Sequence, residues 1–261
     1  GLRLAAGRGV EPRSTAAGVR CDRNGNVGPG IRPGQRRFGP TEVHGPRSVG
    51  KTRFMEPTSS APIKTADRTP VYDADAHICE PPSVWTEYCD PAFRDLILQA
   101  RDKPGGGDSM WANGADTGLN IAPPCIPGAY ADPNVSWSDI VPGSYDPVER
   151  LKVMDAEGLD AALMFPSMDL LTGELERADV AAANARAYNR WMSDFVSEDR
   201  GRLFGMGLCP LQSVDAAVEE IAFIAGQGLT GITFRPERYH GLALYSPELD
   251  RAWSAAEAAD L

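Results

Sequence analysis

The stretch "DADAHICEPP", residues 73–82, sets Asp73, Asp75 and His77 on alternate positions. On a strand, alternation would put all three on one face. A carboxylate and an imidazole two residues apart at a strand end can grip one divalent ion, because both are ordinary ligands of borderline metals. Glu80 follows closely enough to assist as a further oxygen donor. The same spacing also suits a plain hydrogen-bonded Asp–His pair, and the motif alone leaves both readings open.

A second pattern, "HGPRSVGKT" at 44–52, carries Gly45, Gly50, Lys51 and Thr52 at the spacing of a phosphate-cradling loop. That loop works only between a buried strand and a helix, whose N-terminus and backbone N–H groups surround the phosphates. The preceding "GQRRFGPTEV" has no apolar run, and the prolines of "RFMEPTSSAP" break any helix after it. The four residues are therefore read as a chance match and assigned no nucleotide. His44 is assigned no role.

The elements that would position Asp75 and His77 begin at residue 71. Residues 1–70 carry 13 Lys and Arg against 5 Asp and Glu, whereas 71–261 carry 13 against 31, within a net charge of −10. Gly, Pro and Arg dominate the first segment and apolar periodicity is absent. It is expected to be a disordered or spurious leader. The acidic body is a poor partner for nucleic acid. No apolar run approaches the roughly 18 residues of a membrane helix. Five scattered cysteines (Cys21, Cys79, Cys89, Cys125, Cys209) without a C-x-x-C suggest free thiols and a reducing, cytoplasmic setting.

From 71 to 261 the sequence alternates strands and helices. "PVYDADAHI" reads as a strand ending near His77. A loop-rich excursion with helical pieces near "SVWTEYCDPAFRDLIL" follows to about 145. "DPVERLKVMDAEG" predicts a helix capped by Asp146, with Pro147 first, Glu149 third and Gly158 as the stop. "LDAALMF", "RLFGMGL" and "LTGITFRP" read as buried strands. The helices between and after them are predicted over "ELERADVAAANARAYNRWMSDFVSED", over "SVDAAVEEIAFIAGQG" with Ser213 as cap and Gly228 as stop, and from Ser246–Pro247 onward. Such a rhythm demands a parallel sheet with right-handed crossovers, either an open doubly wound sheet or a (β/α)8 barrel. Four strands are counted, at about 71, 160, 203 and 230, where a barrel needs eight.

"YDADAHICEPPSVWTEYCDPAFRD" resembles the opening of the amidohydrolase-related family, the branch with aminocarboxymuconate semialdehyde decarboxylase and γ-resorcylate decarboxylase. The likeness continues through "DPVERLKVMDAEGLDAALMFPS", "ARAYNRWMSDFVSEDRGRLFGMGLCPLQSVDAAVEEI" and "GITFRPERYHGLALYSPELDRAWSAAEAADL", in order over nearly all of 71–261. It implies a (β/α)8 barrel cut after about four βα units, with a divalent metal, most often zinc. The implied activity is hydrolysis or decarboxylation of a small carboxylic or aromatic substrate. The family's first-strand ligands fall on Asp75 and His77. Its remaining ligands, from later strands, have no counterpart here, and the catalytic residues are expected among the missing elements. The chain itself is therefore expected to be inactive. At the end of the fourth strand, Arg235 could fork onto a substrate carboxylate or serve a structural ion pair. His240, in the next loop, could line the pocket or face solvent. The alternative to the enzyme reading is an inert half-barrel that persists by pairing with itself or a partner, and a homo-oligomer is expected.

Overall fold

The computed structural model describes residues 68–120, 122, 126, 132 and 134–261. The Gly45–Thr52 motif and the leader up to residue 67 lie outside the described residues. Arg68 does not: it pairs with Asp160 at 2.6 Å, so contact with the body begins before residue 71.

In chain order the elements are β1 (Tyr72–His77), β2 (Gln99–Asp102), β3 (Asp108–Ala112), β4 (Ala115–Asp116), α1 (Pro147–Glu157), β5 (Ala161–Phe165), α2 (Ala178–Val196), β6 (Leu203–Leu208), α3 (Val214–Gln227), β7 (Gly231–Thr233) and α4 (Asp250–Ala258). Four strands form one parallel sheet in the order β1-β5-β6-β7, as the βα rhythm requires. Among the described residues β1 and β7 are its edges.

Local signals account for most helix ends. The Asp146 side chain accepts the Glu149 N–H at 2.9 Å, and Gly158 ends α1 with φ 73°. Ser213 caps α3 through the Ala216 N–H, and Gly228 ends it at φ 69°. α2 starts four residues later than its sequence pattern suggests. Met168–Glu174 is a 3₁₀ turn instead. This stretch is tied across the fold: Gln212 Nε2 donates to the Thr172 carbonyl at 2.6 Å, which also accepts the Leu175 N–H at 3.1 Å, and to the Leu175 carbonyl at 3.4 Å.

The excursion differs from its reading more strongly. Within residues 83–98 only Val84–Tyr88 is a short helical turn, of π type, and two 3₁₀ turns follow at Trp137–Asp139 and Pro142–Ser144. The Leu98 N–H goes to Asn184 Oδ1 on α2 at 3.0 Å rather than to a helix. Residues 99–116 then form a separate antiparallel sheet, β2-β3-β4. Its tight turn is Asn113-Gly114, with φ 54° and 78°. Asn-Gly is the favoured pair for a turn that needs both residues left-handed.

Helices cover one face of the parallel sheet. Met164 and Leu203 are buried there against α2 and its neighbours. Gly205 and Gly207 of β6 let α2 and α3 approach: a Cβ on them would sit 2.6 Å from Met192 Sδ and Ile224 Cγ1. On the other face Leu163 and Met206 line an open trough of about 780 Å³ that runs around the β7 edge to Trp253 of α4, and Tyr72, Leu163 and Phe204 line another of about 240 Å³. Cys89 and Cys209 are free and buried, but Cys79 is disulfide-bonded. That corrects the expectation of free thiols throughout and weakens the compartment inferred from it.

Candidate metal centre at the end of the first strand

β1 does not alternate simply. Asp73 lies opposite Ala162 and Ala76 opposite Met164, so β1 spends three steps where β5 spends two. This is a bulge, which shifts the facing of everything beyond it. Asp73 and Ala76 share the side of Ala162 and Met164, which the helices cover. His77 pairs with Phe165 and lies on the open side. The expectation that Asp73 shares a face with His77 is thus corrected. The Asp73 carboxylate instead accepts the Asp75 N–H at 3.0 Å, within the bulge.

Asp75 and His77 do come together. Asp75 Oδ1 lies 3.9 Å from His77 Nε2, with the side chains 91% and 43% exposed. That distance is too long for a hydrogen bond and leaves the two atoms as an ion pair at most. Two donors at about 2.1 Å from one tetrahedral ion stand about 3.4 Å apart, so a shared cation would need the exposed pair to close by about 0.5 Å. The other ring nitrogen supports a shared cation. His77 Nδ1 is 2.8 Å from the Pro166 carbonyl, which can only accept. Nδ1 therefore carries the proton in the neutral ring and Nε2 keeps its lone pair toward Asp75. Metal-binding histidines are typically oriented this way. The His77 carbonyl is held in turn by Arg150 Nη2.

Glu80 is placed differently. Its side chain is 2% exposed. Oε1 accepts from the N–H groups of Ser167 at 2.9 Å and Asp169 at 3.2 Å, and Oε2 from Met168 at 2.9 Å. Among the described residues no three His, Cys, Asp or Glu side chains cluster as a metal site, so Glu80 does not join Asp75 and His77. Burial pushes its carboxyl above the usual range, opposed by those N–H donors. Asp169 lies nearby and is raised further, by burial first and by the charge of Glu80 second. Its Oδ1 accepts from Asn184 Nδ2 at 2.7 Å, while Oδ2 is buried without a hydrogen bond.

Arg235 and His240 sit in the segment after β7, across the sheet from β1. Arg235 Nη1 is 3.9 Å from Glu237 and its side chain is 41% exposed. His240 Nε2 is 2.8 Å from the Glu176 carbonyl, which ties this loop to the one after β5. Among the described residues no hydrogen bond or ion pair links either of them to Asp75 or His77.

The buried polar side chains Asn184, Asn189, Gln212 and Asp169 escaped the sequence reading. Asn189 accepts the Leu208 N–H at 2.7 Å and donates to the Leu208 carbonyl at 2.9 Å and to Glu220 at 2.8 Å. Their only signal was an amide or acid on an otherwise apolar helix face or loop.

The parallel βα sheet places the chain among α/β proteins with Asp75 and His77 at the carboxyl end of the first strand. This chain belongs to the amidohydrolase family, whose model matches residues 72–261. An amidohydrolase from Mycobacterium avium subsp. paratuberculosis is similar in structure, with TM-score 0.61 and 21% identity over 75% of this chain and 57% of that one. The apo IDCase of Metarhizium anisopliae gives TM-score 0.52 and 20% identity, over 74% and 49%. A 5-carboxyvanillate decarboxylase from Novosphingobium aromaticivorans, solved with bound manganese, gives TM-score 0.50 and 19% identity, over 73% and 49%. No curated protein matches the chain. The chain thus spans about half the length of these structural relatives. At these identities they establish the barrel-type fold alone. No helix among the described residues is long and apolar enough to cross a membrane.

Proposed function

We propose that Asp75 and His77 form the first-strand part of a divalent-metal centre in a hydrolase or decarboxylase acting on a small carboxylic or aromatic substrate. The observation that carries this is the 3.9 Å gap between Asp75 Oδ1 and His77 Nε2, with the imidazole proton fixed on Nδ1. Manganese in the carboxyvanillate decarboxylase relative supports a divalent ion, and the mixed nitrogen and oxygen donors suit zinc equally. When bound, the ion supplies Lewis acidity toward a substrate carboxylate or carbonyl oxygen. The chain's own contribution is orientation. Pro166 and Arg150 hold His77 from two sides, and Asp75 brings a carboxylate whose charge the solvent screens until an ion arrives. Arg235, more than a third exposed at the end of β7, is proposed to receive a substrate carboxylate, with His240 as a wall of the same pocket.

The test is zinc and manganese binding by calorimetry. Two ligands give weak binding, and His77→Ala or Asp75→Ala removes it. Unchanged binding in both variants overturns the assignment. The open sheet face favours a second, compatible reading, in which the chain associates with itself and forms a homo-oligomer. Light scattering that shows only monomer at all accessible concentrations rejects it.

A further inference from the structure

We propose that Glu80 is a positioning residue for His77: by gathering three consecutive N–H groups of the loop after β5, it fixes the carbonyl that selects the imidazole tautomer. This rests on the reading of His77 as a metal ligand, and it gives Glu80 a role distinct from direct ligation.

The chain of contacts is short. The Glu80 carboxylate takes the N–H groups of Ser167, Met168 and Asp169, so the turn starting at Ser167 has its donors pointed at one buried group. Immediately before it stands Pro166, which has no N–H and offers only its carbonyl. That carbonyl receives His77 Nδ1–H at 2.8 Å. One residue earlier, the Phe165 carbonyl receives the Ile78 N–H at 3.1 Å. Both carbonyls of Phe165–Pro166 therefore return to the end of β1, while the three donors that follow anchor on Glu80. The backbone of Glu80 is itself held, because Trp137 Nε1 donates to its carbonyl at 2.9 Å. An apolar residue at position 80 would leave three buried N–H groups without partners, so the loop would have to move to find others.

The chemical consequence falls on His77. A neutral imidazole free in water favours the tautomer with the proton on Nε2. That proton would block the nitrogen that faces Asp75. The Pro166 carbonyl reverses the preference, and Glu80 keeps the carbonyl in place. Outer partners of this kind typically govern ligand quality as well as ligand orientation.

Only three histidines occur in the chain, so the ring of His77 can be followed directly. The experiment is a long-range proton–nitrogen NMR spectrum of the full, uniformly ¹⁵N-labelled, metal-free chain at about pH 8.5, above the usual imidazole pKa of about 6.5. His77→Gln assigns the signals. The expected wild-type pattern is a protonated Nδ1 and an unprotonated Nε2. Glu80→Ala moves the pattern toward protonated Nε2. Glu80→Gln, nearly isosteric and keeping one acceptor oxygen, moves it part of the way and covers the case in which the alanine variant fails to fold. Asn189→Ala, which loosens α2 away from the loop, leaves the His77 pattern unchanged. Zinc affinity falls about 10- to 100-fold in Glu80→Gln. A wild-type Nε2–H tautomer, or a pattern unmoved in folded Glu80→Gln and Glu80→Ala, overturns the proposal. A tautomer that shifts as expected in a protein whose Nε2 signal ignores added zinc upholds the positioning and sinks the metal reading instead.

Discussion

The two faces of the parallel sheet are built from the same strands and live in different environments. On the helix side, Ala162, Met164 and Leu203 are buried, and glycines stand where the helices press closest. On the open side their alternate neighbours Leu163, Phe204 and Met206 line troughs, and Tyr72 at the edge remains 66% exposed. Parallel sheets are normally covered on both faces. The helix side therefore carries the stability, and the open side carries His77 and an exposed apolar surface.

The sharpest test of that division is a pair of truncations. Met164→Ala, on the helix side, is expected to cost about 2–5 kcal/mol. Leu163→Ala, one residue away on the open side, is expected to cost about 1 kcal/mol or less. Chemical denaturation of both variants measures the difference, and equal losses would show that the open face is as well covered as the other. Asn189→Ala ranks next. It strands the Leu208 N–H and carbonyl inside the helix-side layer and is expected to cost about 1–3 kcal/mol. A neutral result there would mean that water reaches the end of β6.

A smaller, pH-linked effect comes from the buried Asp169. Its pKa is raised by burial and by Glu80, so folding favours its protonated form. The stabilisation is fully present below its unfolded pKa of about 4 and is lost as pH rises toward the folded value. Asp169→Asn should flatten this slope. Melting curves at about pH 4, 5.5 and 7 are expected to converge in the variant relative to wild type. Parallel curves would remove Asp169 as the source. The smallest stability effect is expected for Phe204→Glu on the open face. It should change the melting temperature little while reducing association seen by light scattering. Loss of the fold instead would place Phe204 in the core.

Much of this organisation was legible in the sequence. Asp146, Gly158, Ser213 and Gly228 mark their helix ends through contacts that span only a few residues, and the four strands appear within two residues of their expected starts. Strand spacing set Asp75 near His77 but did not show the bulge that turns Asp73 to the other side. What escaped depended on distant partners. Gln212 binds the Thr172 and Leu175 carbonyls just ahead of a helix that local propensity would begin at Glu174, and Asn184 takes the Leu98 N–H from across the fold. The role of Glu80 was hidden for the same reason, since its three partners lie more than eighty residues on. The hairpin of β3 and β4 is a different kind of miss. Its Asn-Gly turn is a local signal that stood in plain view at 113–114, inside a stretch read as loop.

The bulge in β1 has a consequence for how this strand tolerates changes in length. Its surplus residue lies between Asp73 and Ala76. Deleting Ala74 would leave a regular strand in which Tyr72, Asp73, Ala76 and His77 all keep their present sides. Asp75 would then stand opposite Leu163, on the side of His77. Deleting Ala76 would also remove the surplus and leave His77 opposite Phe165, but it would put Asp75 opposite Met164, on the helix-covered side. Within six residues, β1 thus contains one site where a lost codon brings Asp75 to the side of the imidazole and another where it turns Asp75 toward the core.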